Sequence, residues 1–144
     1  MIGAVKTRLE AQVPDLAGKL QGAADWAEAI ERTTVPDHPF FGYLVPTGFQ
    51  GREPSAAVGR FIQSLDVRLS VVLGFRSRSA TFERSLTDID DKLQAVMTAL
   101  CGWSPEADTP GVFQVESGAA LDFRQGAFLF QLNFTVLDQL RVTP

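Results

Sequence analysis

His38 is the only histidine in the chain, and it stands next to Asp37 in "VPDHPFF". An imidazole beside a carboxylate is two-thirds of a nucleophilic triad, in which the carboxylate orients the base. The third member would be a serine on a G-x-S-x-G elbow, and the sequence contains none. His38 therefore reads as a loop residue between two prolines. Cys101 needs an activating neighbour to become a thiolate. It follows Leu100 at the end of an apolar helical stripe and reads as packing. "DIDDK", Asp88 to Lys92, opens like a calcium loop but lacks the glycine at its sixth position and the glutamate at its twelfth. "GFQG", Gly48 to Gly51, is a lone G-x-x-G. The nucleic-acid clamp of that pattern joins two helices, whereas strands are expected on either side here. No catalytic residue, cofactor or metal ligand is expected from these motifs.

Charge is distributed less blandly. Residues 52–78 hold Arg52, Arg60, Arg68, Arg76 and Arg78 against only Glu53 and Asp66. Arg60, Arg68 and Arg76 recur on the polar face of one long strand. Three readings stay open: a solvated strand face, pairing with acidic groups of another subunit, or contact with nucleic acid. Overall charge weighs on the last, because a net −4 is not the basic balance of a dedicated duplex binder. The acidic complement is on the helix after that strand, at Glu83, Asp88 and Asp91.

Hydrophobic periodicity supplies the elements that must position these groups. Ile2, Val5, Leu9 and Val13 fall on one face of a helix over 2–12, which Pro14 ends. "LAGKLQG" is a weak strand or connector. A second helix over 23–32 places Ala23, Trp26, Ala27 and Ile30 together. "FFGYLV" reads as a strand. Residues 46–59, "PTGFQGREPSAAVG", read as a long polar loop with three glycines and two prolines. From Phe61 to Phe75 nearly every odd position is apolar, so a strand of some fifteen residues buries one face and presents the other. Phe82, Leu86, Ile89, Leu93, Val96, Leu100 and Trp103 form the stripe of a helix over 80–102, with Glu83, Arg84, Asp88, Asp91 and Lys92 opposite. Two strands, 112–123 and 127–141, meet at a turn near Gly126. The stretch "AFLFQLNFTVL" has no charge, so it must be central in the sheet, covered, or paired with a partner.

The predicted order is α-β-α-β-β-α-β-β: one α+β domain over 1–144, a mainly antiparallel sheet packed by two to three helices, with a mobile loop at 46–59. With 144 residues it is long enough for a real core. One cysteine excludes an intrachain disulfide framework. The opening "MIGAVKTRLEAQVPDL" lacks a long apolar region, and no run is long enough for a membrane-spanning helix. A cytoplasm-like compartment and no membrane partner are expected.

Taken in order, "MIGAVKTRLEAQVPDL", "LQGAADWAEAI", "RFIQSLDVRLSVVLGFR", "VMTALCGWSP" and "GAFLFQLNFTVLD" resemble the tail terminator-like proteins of long-tailed and Mu-like bacteriophages. The resemblance covers essentially the whole chain, and its most recognisable motif is G-W-S-P after the long helix. It implies an α+β subunit assembling into a six-fold ring at the neck end of the virion tail. Such a ring caps the tail tube, ends its polymerisation and presents the surface that joins the head. The implied partners are other copies in a homo-hexamer, the tail tube protein and a head-completion or connector protein. DNA would pass through the ring without specific binding, and assembly would take place in the host cytoplasm. The family brings no catalytic residues. Interface candidates therefore come from this sequence alone: Phe49, Arg52, Arg60, Arg68, Arg76, Arg78, Glu83, Asp88 and Asp91. Competing readings are another neck or head-completion protein, a small nucleic-acid-binding module using the arginine stripe, and a small hydrolase using His38.

Overall fold

The computed structural model describes residues 1–32, 34–76, 82–124 and 126–144. Helix α1 spans Ile2–Gln12 and is followed by a 3-10 turn, Pro14–Leu16. Strand β1 (Leu20–Gln21), helix α2 (Ala23–Arg32), strands β2 (Phe40–Gly51), β3 (Ser55–Ala57) and β4 (Arg60–Arg76), helix α3 (Phe82–Leu100), and strands β5 (Gln114–Arg124) and β6 (Ala127–Val142) complete the order. The sheet runs β1-β2-β4-β6-β5, with β3 also on β4. Only the β1–β2 pair is parallel among these strands. This is the expected α+β class, with a mixed, mostly antiparallel sheet.

The predicted periodicities decide the main core. Val5 and Leu9 of α1, Val13 just after it, and Val96 and Leu100 of α3 are buried against Leu69, Val71 and Leu73 of β4 and Leu132, Phe134 and Val136 of β6. The uncharged stretch of β6, Ala127 to Leu137, lies between β4 and β5 as far as Thr135, which resolves its exposure by making it central.

Several expectations needed correction. Strand β4 is not simply apolar on one side and polar on the other. Its even positions Val72 and Ser70 are buried too: α2 covers Val72 with Trp26 and Ala29, and Ser70 is bonded to Asn133 and Gln131 of β6. Gly74 is part of this arrangement. The Phe41 ring lies across it so closely that a Cβ there would stand 2.1 Å from a ring carbon. Helix α2 presents Trp26 to the sheet as expected, but beside it Ala29 and not Ile30 is the buried residue. Trp26 packs on Tyr43 with ring centroids 5.1 Å apart, Ala29 is buried, and Ile30 is left 45% exposed. Lys92 does not belong to the solvent face of α3. Its ammonium meets the Asp15 carboxylate and lies 5.4 Å from the Phe40 ring centroid.

The largest departure is at residues 46–59, where most of the expected loop is strand. Strand β2 continues to Gly51 opposite Leu65, and β3 resumes the pairing opposite Arg60, Phe61 and Ile62. A two-residue turn, Val58–Gly59, closes the hairpin, with Gly59 at φ 76°, in the left-handed region that glycine adopts freely. The loop signals belong to irregularities within the strand. Strand β1 covers only Gly42 and Tyr43, so Pro46 lies where β2 has become an edge and needs no ladder donor. The register shifts between Pro46 and Gly48, and Gly48 takes φ 127° at this bulge.

Candidate subunit interface

Helices α1 and α3 cover the sheet only as far as Val67 and Val136. Beyond them the hairpin of β2, β3 and β4, backed by the end of β6, continues as an arm. Eight residues of β4, Arg60 to Val67, correspond to about 25 Å of projection at the usual rise of a strand. Pairing inside the arm is unbroken between β4 and β6, from Phe61↔Val142 through Leu65↔Asp138.

The arm has two chemically distinct faces. On one, Arg52 and Asp66 form a bidentate ion pair, Nε to Oδ2 and Nη2 to Oδ1, each at 2.9 Å. Arg52 N–H donates to Ser64 O at 2.8 Å, and Gln63 Nε2 donates to Arg52 O at 2.9 Å. These bonds clasp the irregular segment 52–54 to β4. The hydrogen bond from Arg52 holds the Asp66 carboxyl below its ordinary pKa, and the same contact raises that of Arg52. The opposite face resumes the core stripe without a helix above it, interrupted by Gln63 and Asp138. Phe49 lies beside Val67, Phe61 beside Val142, and Leu140 opposite Gln63. Phe49 is 69% exposed, Leu140 44% and Val142 42%. Val58, at the turn, is also fully exposed.

The structure places the other candidate residues as follows. Arg68 lies on the second face of β4, where its Nε is 3.6 Å from Glu116 Oε2 of β5. It lines a shallow cleft with Thr47, Ser117 and Asn133. Beneath this cleft Ser70, Gln131, Asn133 and Ser117 hydrogen-bond one another at 2.6–3.0 Å. Arg76, largely buried at the far end of β4, donates to Pro36 O at 3.2 Å and stands 3.8 Å from Asp37 Oδ1. Arg60 is exposed at the arm tip with no carboxylate partner among the described residues. Asp88 and Asp91 are exposed on α3. The side chain of Glu83 and the whole of Arg78 lie outside the described residues. The arm thus gathers Phe49, Arg52 and Arg60, while Arg68, Arg76 and the α3 carboxylates stand elsewhere.

His38 is exposed in the bend before β2, and Cys101, expected to pack at the end of the apolar stripe, is instead exposed just after α3, because the helix ends at Leu100 and the stripe does not include it. Sequence reasoning missed Leu140, Val142 and Val58. The even-position rhythm of β6 breaks at Asp138 and resumes at Leu140 and Val142, but it does not show where the covering helix ends. No helix among the described residues is long and apolar enough to cross a membrane.

No curated protein matches the chain. A family model described as phage tail terminator protein matches residues 2–143. That match spans nearly the whole of the α+β fold described above, arm included, so the chain belongs to the phage tail terminator family, a family of structural proteins of the bacteriophage tail.

Proposed function

We propose that the protein forms a ring that caps the tail tube, ends tube polymerisation and provides the surface to which the head is joined. The observation that carries this reading is the projecting arm, set beside membership of the terminator family. The arm leaves Phe49, Leu140 and Val142 exposed. Contiguous apolar surface on a projection gains from being covered by another protein.

A homo-hexamer is the assembly in this reading. A cyclic ring uses a heterologous interface, in which one patch of each copy meets a different patch of the next. The arm supplies one such patch and the body supplies the other. One rim of the ring meets the tube, the other meets a head-completion protein, and DNA passes through the centre without base-specific contact. The protein acts mechanically, at the neck end of the virion tail, after assembly in the host cytoplasm.

The test is tube growth. Tail tube subunits polymerising in vitro are followed by light scattering while the protein is added at a range of ratios to tube ends. Elongation should stop once the ends are occupied, and the stopped tubes should not resume on fresh subunits. Tubes that keep growing at saturating protein would overturn the terminator reading.

A further inference from the structure

We infer that the polar face of the arm, the one that carries Arg60 and Arg141, is turned to the channel of the ring and holds the phosphate backbone of double-stranded DNA. The inference rests on the ring reading and deepens it by naming the face that meets the DNA.

Register decides which side chains share this face. Along β4 the odd positions Phe61, Leu65 and Val67 lie on the side of the core stripe, so Arg60, Asp66 and Arg68 point the other way. Arg141 stands opposite Ile62 and Gln139 opposite Ser64, which places both on the side of Arg60. Arg52 joins them through its ion pair with Asp66. Helix α2 covers this side of the sheet only around Val72, and Arg68, Arg60 and Arg141 are all exposed. The two sides of a single sheet layer look in opposite directions. A ring that takes the apolar side of the arm into a protein contact therefore leaves the polar side to water.

Charge selects what meets that side. It carries Arg52, Arg60, Arg68 and Arg141 against Asp66 and Glu116, four cations to two carboxylates, in a chain of net charge −4. Glu53, in the irregular segment between β2 and β3, leaves the balance positive. Both carboxylates are engaged within the chain, by Arg52 and by Arg68. Arg60 has no carboxylate partner among the described residues, and Arg141 donates only to the neutral Gln139, Nε to Oε1 at 2.6 Å. The register sets these two arginines about 8 Å apart, two residues along a strand and one strand across. Guanidinium groups at that separation reach one stretch of a phosphate backbone, which carries a charge about every 3.4 Å of axis on each strand. Thr47, Ser117 and Asn133, around Arg68, add neutral groups of the kind that position a backbone without reading bases. The exposed carboxylates Asp88, Asp90 and Asp91 belong to α3, on the other side of the sheet, and do not oppose a polyanion here.

The test is binding of a fluorescein-labelled duplex of about 30 base pairs, read by anisotropy over a salt series. The assembled protein should bind it at about 50 mM salt, whatever its sequence, and release it as salt rises. Arg60→Gln with Arg141→Gln should weaken binding about tenfold or more and flatten the logarithmic salt slope by about 2 for each copy in contact. Self-association in sedimentation velocity and the arrest of tube growth should stay as in the parent. Rings that ignore the duplex at low salt, or bind it equally after the double substitution, would overturn the assignment and leave the ring reading standing. A double variant that no longer self-associates would also overturn it, because the two arginines would then serve a contact between copies. Tubes that keep growing at saturating protein, with duplex binding still lost on substitution, would overturn the ring and retain the phosphate-binding face.

Discussion

Arg52 and Asp66 face one another across the hairpin arm through two parallel hydrogen bonds of 2.9 Å. The pair closes the arm at the point where the strand pattern lapses between Gly51 and Ser55. Asp66 is held below its ordinary pKa chiefly by that hydrogen bond. A carboxylate with a lowered folded pKa contributes above its unfolded value, near 3.9, and its contribution is lost as pH falls through the folded value. Amide exchange in residues 50–66 should therefore accelerate on acidification below about pH 4, beyond the intrinsic pH dependence of exchange. Asp66→Asn should show the faster exchange already at neutral pH, with global stability unchanged. Equal protection in the parent and the variant would remove the clasp from the account.

Lys92 and Asp15 make a second, independent pH-dependent contact. The hydrogen bond from Lys92 lowers the Asp15 pKa, followed by the charge of the same ammonium. The sign is again stability present above the unfolded value and lost in acid. Asp15 is well exposed, so solvent screening limits the pair to about 1 kcal/mol or less. Lys92→Met should lower urea stability at pH 7 by about that amount and flatten the fall in stability below about pH 4. An unchanged slope with pH would assign acid sensitivity to other carboxylates.

Gly74 tests the second core. Alanine at this position sets a methyl group 2.1 Å from the Phe41 ring, deep in a packed cluster. Gly74→Ala should cost about 1–3 kcal/mol, the usual range for overpacking. Phe41→Leu in the same chain should recover part of the loss, because contacting sites couple. Thermal unfolding of the four variants checks it, and strict additivity would contradict the contact.

The body and the arm are separable in this account. Replacing residues 50–66 with Asn-Gly joins Phe49 to Val67, a register pair, through a favoured two-residue turn. The shortened protein should keep its far-ultraviolet spectrum and a Tm near that of the parent, because the cores above Val67 remain. It should fail to self-associate in sedimentation velocity. A shortened protein that assembles normally would assign assembly to the body alone.

The parts legible in the sequence were those in which one periodicity reports one environment. Leu69, Val71, Leu73 and Phe75, and Leu132, Phe134 and Val136, announce their strands and the face they bury. The arm was hidden because Pro46, Gly48, Gly51, Pro54 and Gly59 are also the residues that punctuate loops. An edge strand accepts them at bulges, and only the pairing partner reveals that β2 is an edge there. On α2 the spacing found Trp26 but chose Ile30 over Ala29, because the cluster of Phe41, Tyr43 and Val72 on the sheet selects the small residue, which helical spacing alone does not encode. The arginine stripe was legible as charge, but its neutralisation was not. Glu116 reaches Arg68 from another strand, and Asp37 reaches Arg76 from a distant bend.

The central claim is a ring built by the arm and placed on the tail tube. Negative-stain electron microscopy of the purified protein over a concentration series, with and without assembled tubes, tests it most directly. The account predicts six-fold rings, or density capping one end of each tube, and their loss when residues 50–66 are replaced by the short turn. Uniform monomers that leave both tube ends bare at every concentration would contradict it.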